Sequence, residues 1–186
     1  MKFESSLERF ILDTIKEIGD LGGIDVKTED FADTPKRVAQ MWNDFIHTPK
    51  PEMKTFPTHN KQGMIVFRNH LSWGFCPHHM LPVKYTIHIG YIPQDRVLGG
   101  SKPLRYADWV TSRFPLQEDV PYLIVQGIEQ SINPKGAGCI VHGEHNCMRI
   151  RGIKSPCASM ITDFFSGCFL QEDATREEFL LLCQQR

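Results

Sequence analysis

The spacing of the apolar residues changes along the chain, and this change limits the possible folds more than any other feature. Over residues 5–19 and 35–45, apolar residues recur at helical intervals, as on one face of an amphipathic helix. Over residues 83–91 they alternate with other residues, as in a strand with one buried face. Helical spacing returns between residues 102 and 132, where two helices are expected, and it is clearest over residues 120–132. The sequence therefore predicts a fold that contains both helices and strands.

Shorter patterns complete this prediction. Further strands are expected at 64–67, 139–141, 148–153 and 158–169, and a closing helix at 175–183. Prolines and polar residues dominate residues 49–63, which is typical of a surface connection. We therefore expect an N-terminal helical segment, residues 1–48, and a mixed region, residues 49–186, within one structural domain. Because predicted strands neighbour one another along the chain, the expected fold class is α+β with an antiparallel sheet.

The composition excludes several classes of protein. A chain of 186 residues, 41% of them hydrophobic, can bury one sizeable core. No apolar run approaches the roughly 20 residues that a membrane-spanning helix needs, and residues 1–10 lack the apolar stretch of a secretion signal. The formal net charge of -1 argues against direct binding to nucleic acid. We expect a soluble, cytoplasmic protein whose six cysteines are thiols or metal ligands.

The strongest local pattern is Cys76-Pro77-His78-His79, followed far along the chain by His145-Asn146-Cys147. Cysteine and histidine are the usual zinc ligands, and three protein ligands leave a fourth position for water, as in catalytic zinc sites. The pattern alone leaves a metal site and a chance grouping of thiols as alternatives. His78 and His145 favour the metal site, because each lies within two residues of a proposed ligand and can transfer protons near neutral pH.

The other histidines and cysteines have simpler interpretations. We expect four histidines to be ordinary surface or hydrogen-bonded residues and His88, on the alternating strand, to be structural. These four are His47, His59, His70 and His142. The remaining thiols are expected to be core residues, namely Cys139, Cys157, Cys168 and Cys183.

Two further motifs could bind a substrate. Ser101, Lys102 and Arg105 follow Gly99-Gly100 at the start of a predicted helix, which suits a phosphate site but equally a solvated basic helix end. Gln117-Glu118 precedes the helix at 120–132. A carboxylate there could pair with the edge of guanine, but from these residues alone the preferred interpretation is an acidic first turn that complements the helix dipole.

These motifs, in this order, resemble the GTP cyclohydrolase I family. The likeness runs from about residue 33 to the C-terminus. It includes Asp33-Thr34-Pro35-Lys36-Arg37, Cys76–His79, His88-Ile89-Gly90-Tyr91, Ser101–Arg105, Gln117-Glu118, His145-Asn146-Cys147, Arg151-Gly152 and Arg176-Glu177-Glu178-Phe179-Leu180.

The resemblance implies a role for each matching residue. It implies zinc held by Cys76, His79 and Cys147, and proton transfer by His78 and His145. Glu118, with Gln117 beside it, would bind the guanine of GTP. The implied triphosphate ligands are Ser101, Lys102, Arg105, Arg151 and Arg37. The implied fold is the tunnelling fold, or T-fold, in which antiparallel sheets of several subunits form an oligomeric barrel with helices outside. A homo-oligomer, a decamer or octamer with sites between subunits, is therefore expected.

The implied activity is zinc-dependent hydrolysis of GTP at guanine C8, with release of formate and rearrangement to 7,8-dihydroneopterin triphosphate. Such a product could enter tetrahydrofolate biosynthesis and one-carbon metabolism, another pterin route, or a deazaguanine route, and the sequence does not choose among them. One alternative is an arrested enzyme that gives a ring-opened formamide or uses another guanine nucleotide. The other is a non-catalytic, zinc-containing T-fold protein that binds pterin.

Some positions depart from the family pattern. Pro77 stands where the family usually has glutamate, and Gly100 where it has leucine. In the segment 158–162 only Thr162 remains of an expected Ser-x-Thr-x-Thr pattern. The departures leave every implied ligand and proton carrier in place, so they indicate a divergent member.

Overall fold

The computed structural model describes residues 2–59 and 61–184, and the chain divides into two compact units, Met1–Thr48 and Pro49–Arg186. The first unit contains helices α1 (Lys2–Gly22), α2 (Glu29–Ala32) and α3 (Thr34–Ile46). Helix α1 packs along α3. Gly23 follows α1 with a φ of 64°, a conformation that glycine adopts without steric cost, so the helix ends there.

The second unit is built on a four-stranded antiparallel sheet. In chain order its first elements are β1 (Thr55–Pro57), β2 (Ile65–Phe75), β3 (Pro82–Ile92) and β4 (Arg96–Leu98). Strands β5 (Gly136–His145) and β6 (Met160–Gly167) come later in the chain. The large sheet has the order β2-β3-β5-β6, while β1 pairs with β4 in a separate ribbon. Strands β2 and β6 are therefore the two edges of the large sheet.

Helices cover both faces of the sheet. Helices α4 (Lys102–Thr111) and α5 (Val120–Ile132) belong to the main core, to which β3 contributes its alternating residues. These are Val83, Tyr85, Ile87, Ile89 and Tyr91. The short helix α6 (Asn146–Arg149) follows β5, and α7 (Cys168–Gln171) and α8 (Asp173–Gln184) close the chain. Phe169 and Phe179, from the last two helices, pack with Ile140 on the other face.

The predicted α+β fold with an antiparallel sheet is confirmed, but one predicted strand is wrong. Residues 148–153 contain the end of α6 and a turn, and Ile150 and Ile153 are 64% and 76% exposed. Val83 pairs with His145 at the end of the β3–β5 ladder, so among the described residues no neighbouring strand is left to pair with the chain beyond His145. Apolar residues at strand spacing cannot form a strand where no sheet edge is available.

Three other strands differ from prediction in length, and one of them, β5, spans Gly136–His145 rather than residues 139–141. Strand β2 continues to Phe75 through a bulge between Phe67 and His70, where Asn69 has a φ of 57°. The strand expected at 158–169 stops at Gly167, whose φ is 53°, and α7 begins at the next residue.

Among the helices of the described ranges, none has the combination of length and apolar character that spanning a bilayer requires.

Candidate metal centre

Two turns at one end of the sheet carry the predicted metal ligands. The Cys76 amide donates to the Leu81 carbonyl (2.9 Å) and the Met80 amide to the Cys76 carbonyl (2.8 Å), which closes the turn between β2 and β3. Cys147 lies in α6, directly after β5. Since β3 begins where β5 ends in the ladder, the sheet register brings these two turns together.

The candidate ligand atoms of Cys76, His79 and Cys147 all lie within 4.8 Å of one another. Within the described residues, no other group of three or more cysteine, histidine or acidic side chains is gathered in this way. Cys76 is buried, Cys147 is partly buried and His79 is exposed. The Sγ atom of Cys76 is 3.8 Å from Nδ1 of His79 and 3.7 Å from Nδ1 of His78.

The chemistry of these donors fits a zinc-like cation. Two thiols and an imidazole form a borderline-soft set, which favours zinc over hard cations such as Mg²⁺ or Ca²⁺. Burial, together with the neighbouring Cys76, raises the pKa of Cys147, although Arg151 acts in the opposite direction. A cation at this position would stabilise the thiolates that burial disfavours.

A cavity of about 240 Å³ opens beside the ligands. Its walls bring together the predicted metal ligands, both predicted proton carriers and the Gln117-Glu118 pair. The sequence did not indicate the cavity's other lining residues, which are Pro77, Pro115, Leu116, Met148 and Met160. Their positions depend on how the ends of β5 and β6 meet the turn before α5, which no local pattern reveals.

A hydrogen bond to the Gln117 side chain orients the His145 ring. The Gln117 side chain is buried, and its Nε2 donates to the carbonyl oxygens of Met160 (2.8 Å) and Val141 (3.3 Å). Its Oε1 lies 2.6 Å from Nε2 of His145. Because an amide oxygen only accepts, His145 Nε2 must donate, so the neutral imidazole keeps its lone pair on Nδ1. A direct contact between the Gln117 side chain and guanine therefore stays a prediction.

Because Gly143 has no side chain, there is room for the Gln117 amide beside β5. A Cβ atom on Gly143 would overlap Oε1 of Gln117, so a larger residue at this position would displace the Gln117 amide. Thr162 also donates through Oγ1 to the Gln117 carbonyl (3.2 Å). Burial lowers the pKa of His145, although Glu118 acts in the opposite direction, and the neutral form is favoured.

Tyr85 is a neighbour of the site that sequence reasoning assigned only to the core. Its ring stands edge-on to the His145 ring, with centroids 6.3 Å apart. Burial, and then the nearby Cys76 and Cys147, raise the pKa of Tyr85, so its hydroxyl stays protonated. The alternation of β3 predicted that Tyr85 is buried, but its closeness to the ligands depends on the sheet register.

The predicted anion ligands are in three places. Arg151 lies beside the ligands, where its guanidinium donates to Nε2 of His79. Ser101, Lys102 and Arg105 lie at the start of α4 and do not line the cavity. Arg37 belongs to the first unit and pairs with Asp33 at 3.3 Å. Of the four predicted anion ligands that belong to the second unit, the structure therefore brings only Arg151 to the candidate centre.

The chain is similar to several known proteins. The family model described as GTP cyclohydrolase I matches residues 11–184. GTP cyclohydrolase 1 of Aquifex aeolicus is 35% identical over 161 residues, covering 86% of this chain and 88% of that protein. GTP cyclohydrolase 1 of Hydrogenobaculum sp. is 33% identical over 164 residues, covering 88% and 90%. A crystal structure of apo archaeosine synthase QueF-Like aligns at 15% identity with a TM-score of 0.45, covering 56% of this chain and 93% of that one.

Proposed function

Since this chain belongs to the GTP cyclohydrolase I family, we propose that it hydrolyses GTP at guanine C8, releasing formate and forming 7,8-dihydroneopterin triphosphate. One observation carries the proposal. In a member of this family, a cluster of two thiols and an imidazole shares a 240 Å³ cavity with two further histidines and Glu118. The cavity thus joins a candidate metal centre, proton carriers and a carboxylate, which are the groups that hydrolysis of a cyclic amidine requires.

Cys76, His79 and Cys147 are the proposed zinc ligands. When bound, zinc acts as a Lewis acid and lowers the pKa of water, which supplies a nucleophile near neutral pH. The two cysteines come from different turns, so the ligand set links the β2–β3 turn to α6. Removal of the metal should therefore abolish turnover and also loosen this end of the sheet.

His145 and His78 are the proposed proton carriers. With Nε2 of His145 committed to Gln117, its Nδ1 can accept a proton and later return it to a ring nitrogen of the substrate. Because burial lowers the pKa of His145, this nitrogen is available at neutral pH. His78 is exposed, so it can exchange protons between the cavity and solvent.

Glu118 is the proposed guanine ligand, because its carboxylate lines the cavity and can accept bonds from the amino group and ring N–H of the base. The triphosphate would be bound by Arg151 beside His79 and by Ser101, Lys102, Arg105 and Arg37. These bonds to an unreacting part of the substrate would position C8 at the metal.

We also propose a T-fold homo-oligomer, a decamer or octamer, with sites between subunits. Three of the proposed phosphate ligands lie at the start of α4, outside the cavity, which supports completion of each site by another copy. Within the part of the chain that the structure describes, both edges of the large sheet lack a pairing strand and expose large apolar side chains. Leu71 and Trp73 on β2 are 58% and 54% exposed, and Ile161 on β6 is 60% exposed.

The test is to incubate zinc-loaded protein with GTP and to measure formate and, after oxidation, pterin fluorescence. Both products are expected. A formamide without formate would mean an arrested enzyme, and no reaction would favour the non-catalytic pterin-binding alternative. Cys147→Ser should remove both zinc and turnover. Cys157 is exposed, so its prediction as a core thiol is wrong, and because it lies outside the centre Cys157→Ser is the matched control and should retain both.

A further inference from the structure

The turn that carries Cys147 is too short to hold its own position. Helix α6 has four residues, one turn, and isolated helices of this length are unstable in water. It also lies past the end of the β3–β5 ladder, so no strand pairing fixes it. Contacts with the rest of the chain must therefore determine where the Cys147 thiol lies relative to Cys76 and His79.

Three charged side chains supply such contacts. Nη1 of Arg149 lies 2.7 Å from Oε2 of Glu144, and Nζ of Lys84 lies 3.4 Å from Oε1 of the same carboxylate. Nε of Arg149 also donates to the Ala158 carbonyl at 3.4 Å. Arg149 thus ties the last residue of α6 both to β5 and to the segment that leads into β6.

The sheet holds the other end of this network. Lys84 and Glu144 are direct cross-strand partners in the β3–β5 register. Hydrogen bonds from Lys84 and Arg149 lower the pKa of Glu144, so its carboxylate is ionised at neutral pH. Both oxygens of the carboxylate are used, one by each cation, so Arg149 is connected to the strand through a fixed group.

We propose that Arg149, Glu144 and Lys84 are positioning residues that hold the α6 turn in place and thereby set the affinity of the metal centre. None of the three is a candidate ligand. Partly exposed ion pairs usually add little to the stability of a whole domain, but one that holds a ligand turn acts directly on the geometry of the site. The inference rests on the zinc centre proposed above.

The experiment measures zinc affinity by competition with a chromophoric chelator, without GTP, for wild type, Arg149→Met, Glu144→Gln and Arg149→Lys. Arg149→Met and Glu144→Gln should bind zinc about 10- to 100-fold more weakly, as expected when groups that orient metal ligands are lost. Arg149→Lys should be intermediate, because it keeps the charge but loses the second donor. The matched control is Lys61→Met, which removes an exposed ion pair with Asp95 (2.6 Å) elsewhere in the same unit.

The melting temperature of the metal-free proteins separates positioning from general stability. The proposal requires that the metal-free Arg149→Met and Glu144→Gln proteins melt close to the Lys61→Met control while their zinc affinity falls. Unchanged zinc affinity, or an equal loss in Lys61→Met, would overturn it, as would a fall in affinity that only follows a lower melting temperature. If wild type itself binds no zinc, the proposed metal centre fails. If wild type and the variants bind zinc equally well, only the positioning role fails.

Discussion

Gln117 shows how one buried side chain can determine the chemistry of another. Its amide nitrogen is used by two backbone carbonyls, so its oxygen must face His145 and fix the imidazole tautomer. The identity of the side chain matters here because a hydrocarbon of similar size would fill the space but accept no hydrogen bond.

We expect Gln117→Met to lower kcat about 100-fold while zinc content stays at the wild-type level, because His145 loses the acceptor that orients it. Steady-state kinetics and metal analysis on the same preparation measure both quantities. Gln126→Met is the control, because Gln126 is only half-buried on α5 and bonds only to Tyr122 among the contacts described. A Gln117→Met enzyme with normal kcat would show that the tautomer is not fixed by this bond.

Gly143 has an equally specific requirement. We expect Gly143→Ala to lower both kcat and the free energy of unfolding, the latter by about 1–3 kcal/mol, because the added Cβ would overlap Oε1 of Gln117. Denaturant titration and kinetics measure the two effects. In Gly22→Ala the added Cβ meets only the end of the Ile24 side chain, at 3.3 Å, so that variant should retain wild-type stability. Equal behaviour of the two variants would contradict the argument.

At the scale of elements, a polar cluster joins α4 to β2. The Asp108 carboxylate lies 2.8 Å from Nε2 of His70 and accepts a hydrogen bond from Ser72 (2.7 Å). Ser72 is also 2.9 Å from the Thr111 hydroxyl. Burial alone would raise the pKa of Asp108, but the bonds from His70 and Ser72 outweigh it and lower that pKa. The cluster therefore favours an ionised Asp108 in the folded state.

This shift predicts a pH dependence of stability. A carboxyl group whose pKa is depressed by folding stabilises the protein above its unfolded pKa of about 3.9, and the contribution is lost as pH falls through the lower folded value. Asp108→Asn should reduce the free energy of unfolding by about 1 kcal/mol at pH 7, because the carboxylate is partly exposed, and should flatten its fall below about pH 4.

Urea titrations between pH 3 and pH 7 measure the effect. Asp95→Asn is the control. Asp95 makes an exposed ion pair with Lys61 and directly precedes β4 of the small β1–β4 ribbon, so it is not part of this cluster. Parallel stability curves for wild type and Asp108→Asn would mean that Asp108 has the same pKa in both states.

At the scale of the whole molecule, the open sheet edges are the features that a single chain leaves incomplete. Unpaired edge strands with exposed apolar side chains favour pairing with another chain, and closing a barrel would remove both edges at once. Completion of the site by a neighbouring copy would then depend on the same contacts.

We therefore expect Trp73→Glu, on β2, to produce a smaller species in analytical ultracentrifugation and to lose activity together with assembly. A charge at an apolar sheet edge opposes its burial between chains. Leu21→Glu is the control, because Leu21 is 87% exposed on α1 and belongs to the first unit rather than to a strand of the sheet. Wild-type sedimentation of Trp73→Glu would exclude this edge from the interface.

The sequence by itself predicted the elements whose periodicity is complete within a short segment, such as the alternating strand β3 and helix α5. It also predicted which residue types gather at the candidate centre, because His78 and His145 beside cysteine and histidine at ligand spacing favoured a metal site over a chance grouping of thiols. The resemblance to a family added roles that no spacing could provide.

Only the tertiary structure decided what depends on pairing between distant segments. The register that places Val83 opposite His145 ends the ladder there, so residues 148–153 turn instead of forming a strand, and the ligand turns meet. The same packing buries Gln117 behind His145 and leaves the start of α4 outside the cavity. Local spacing encodes which face of an element is buried, whereas these contacts join residues tens of positions apart, and their partners are set only when the sheet forms.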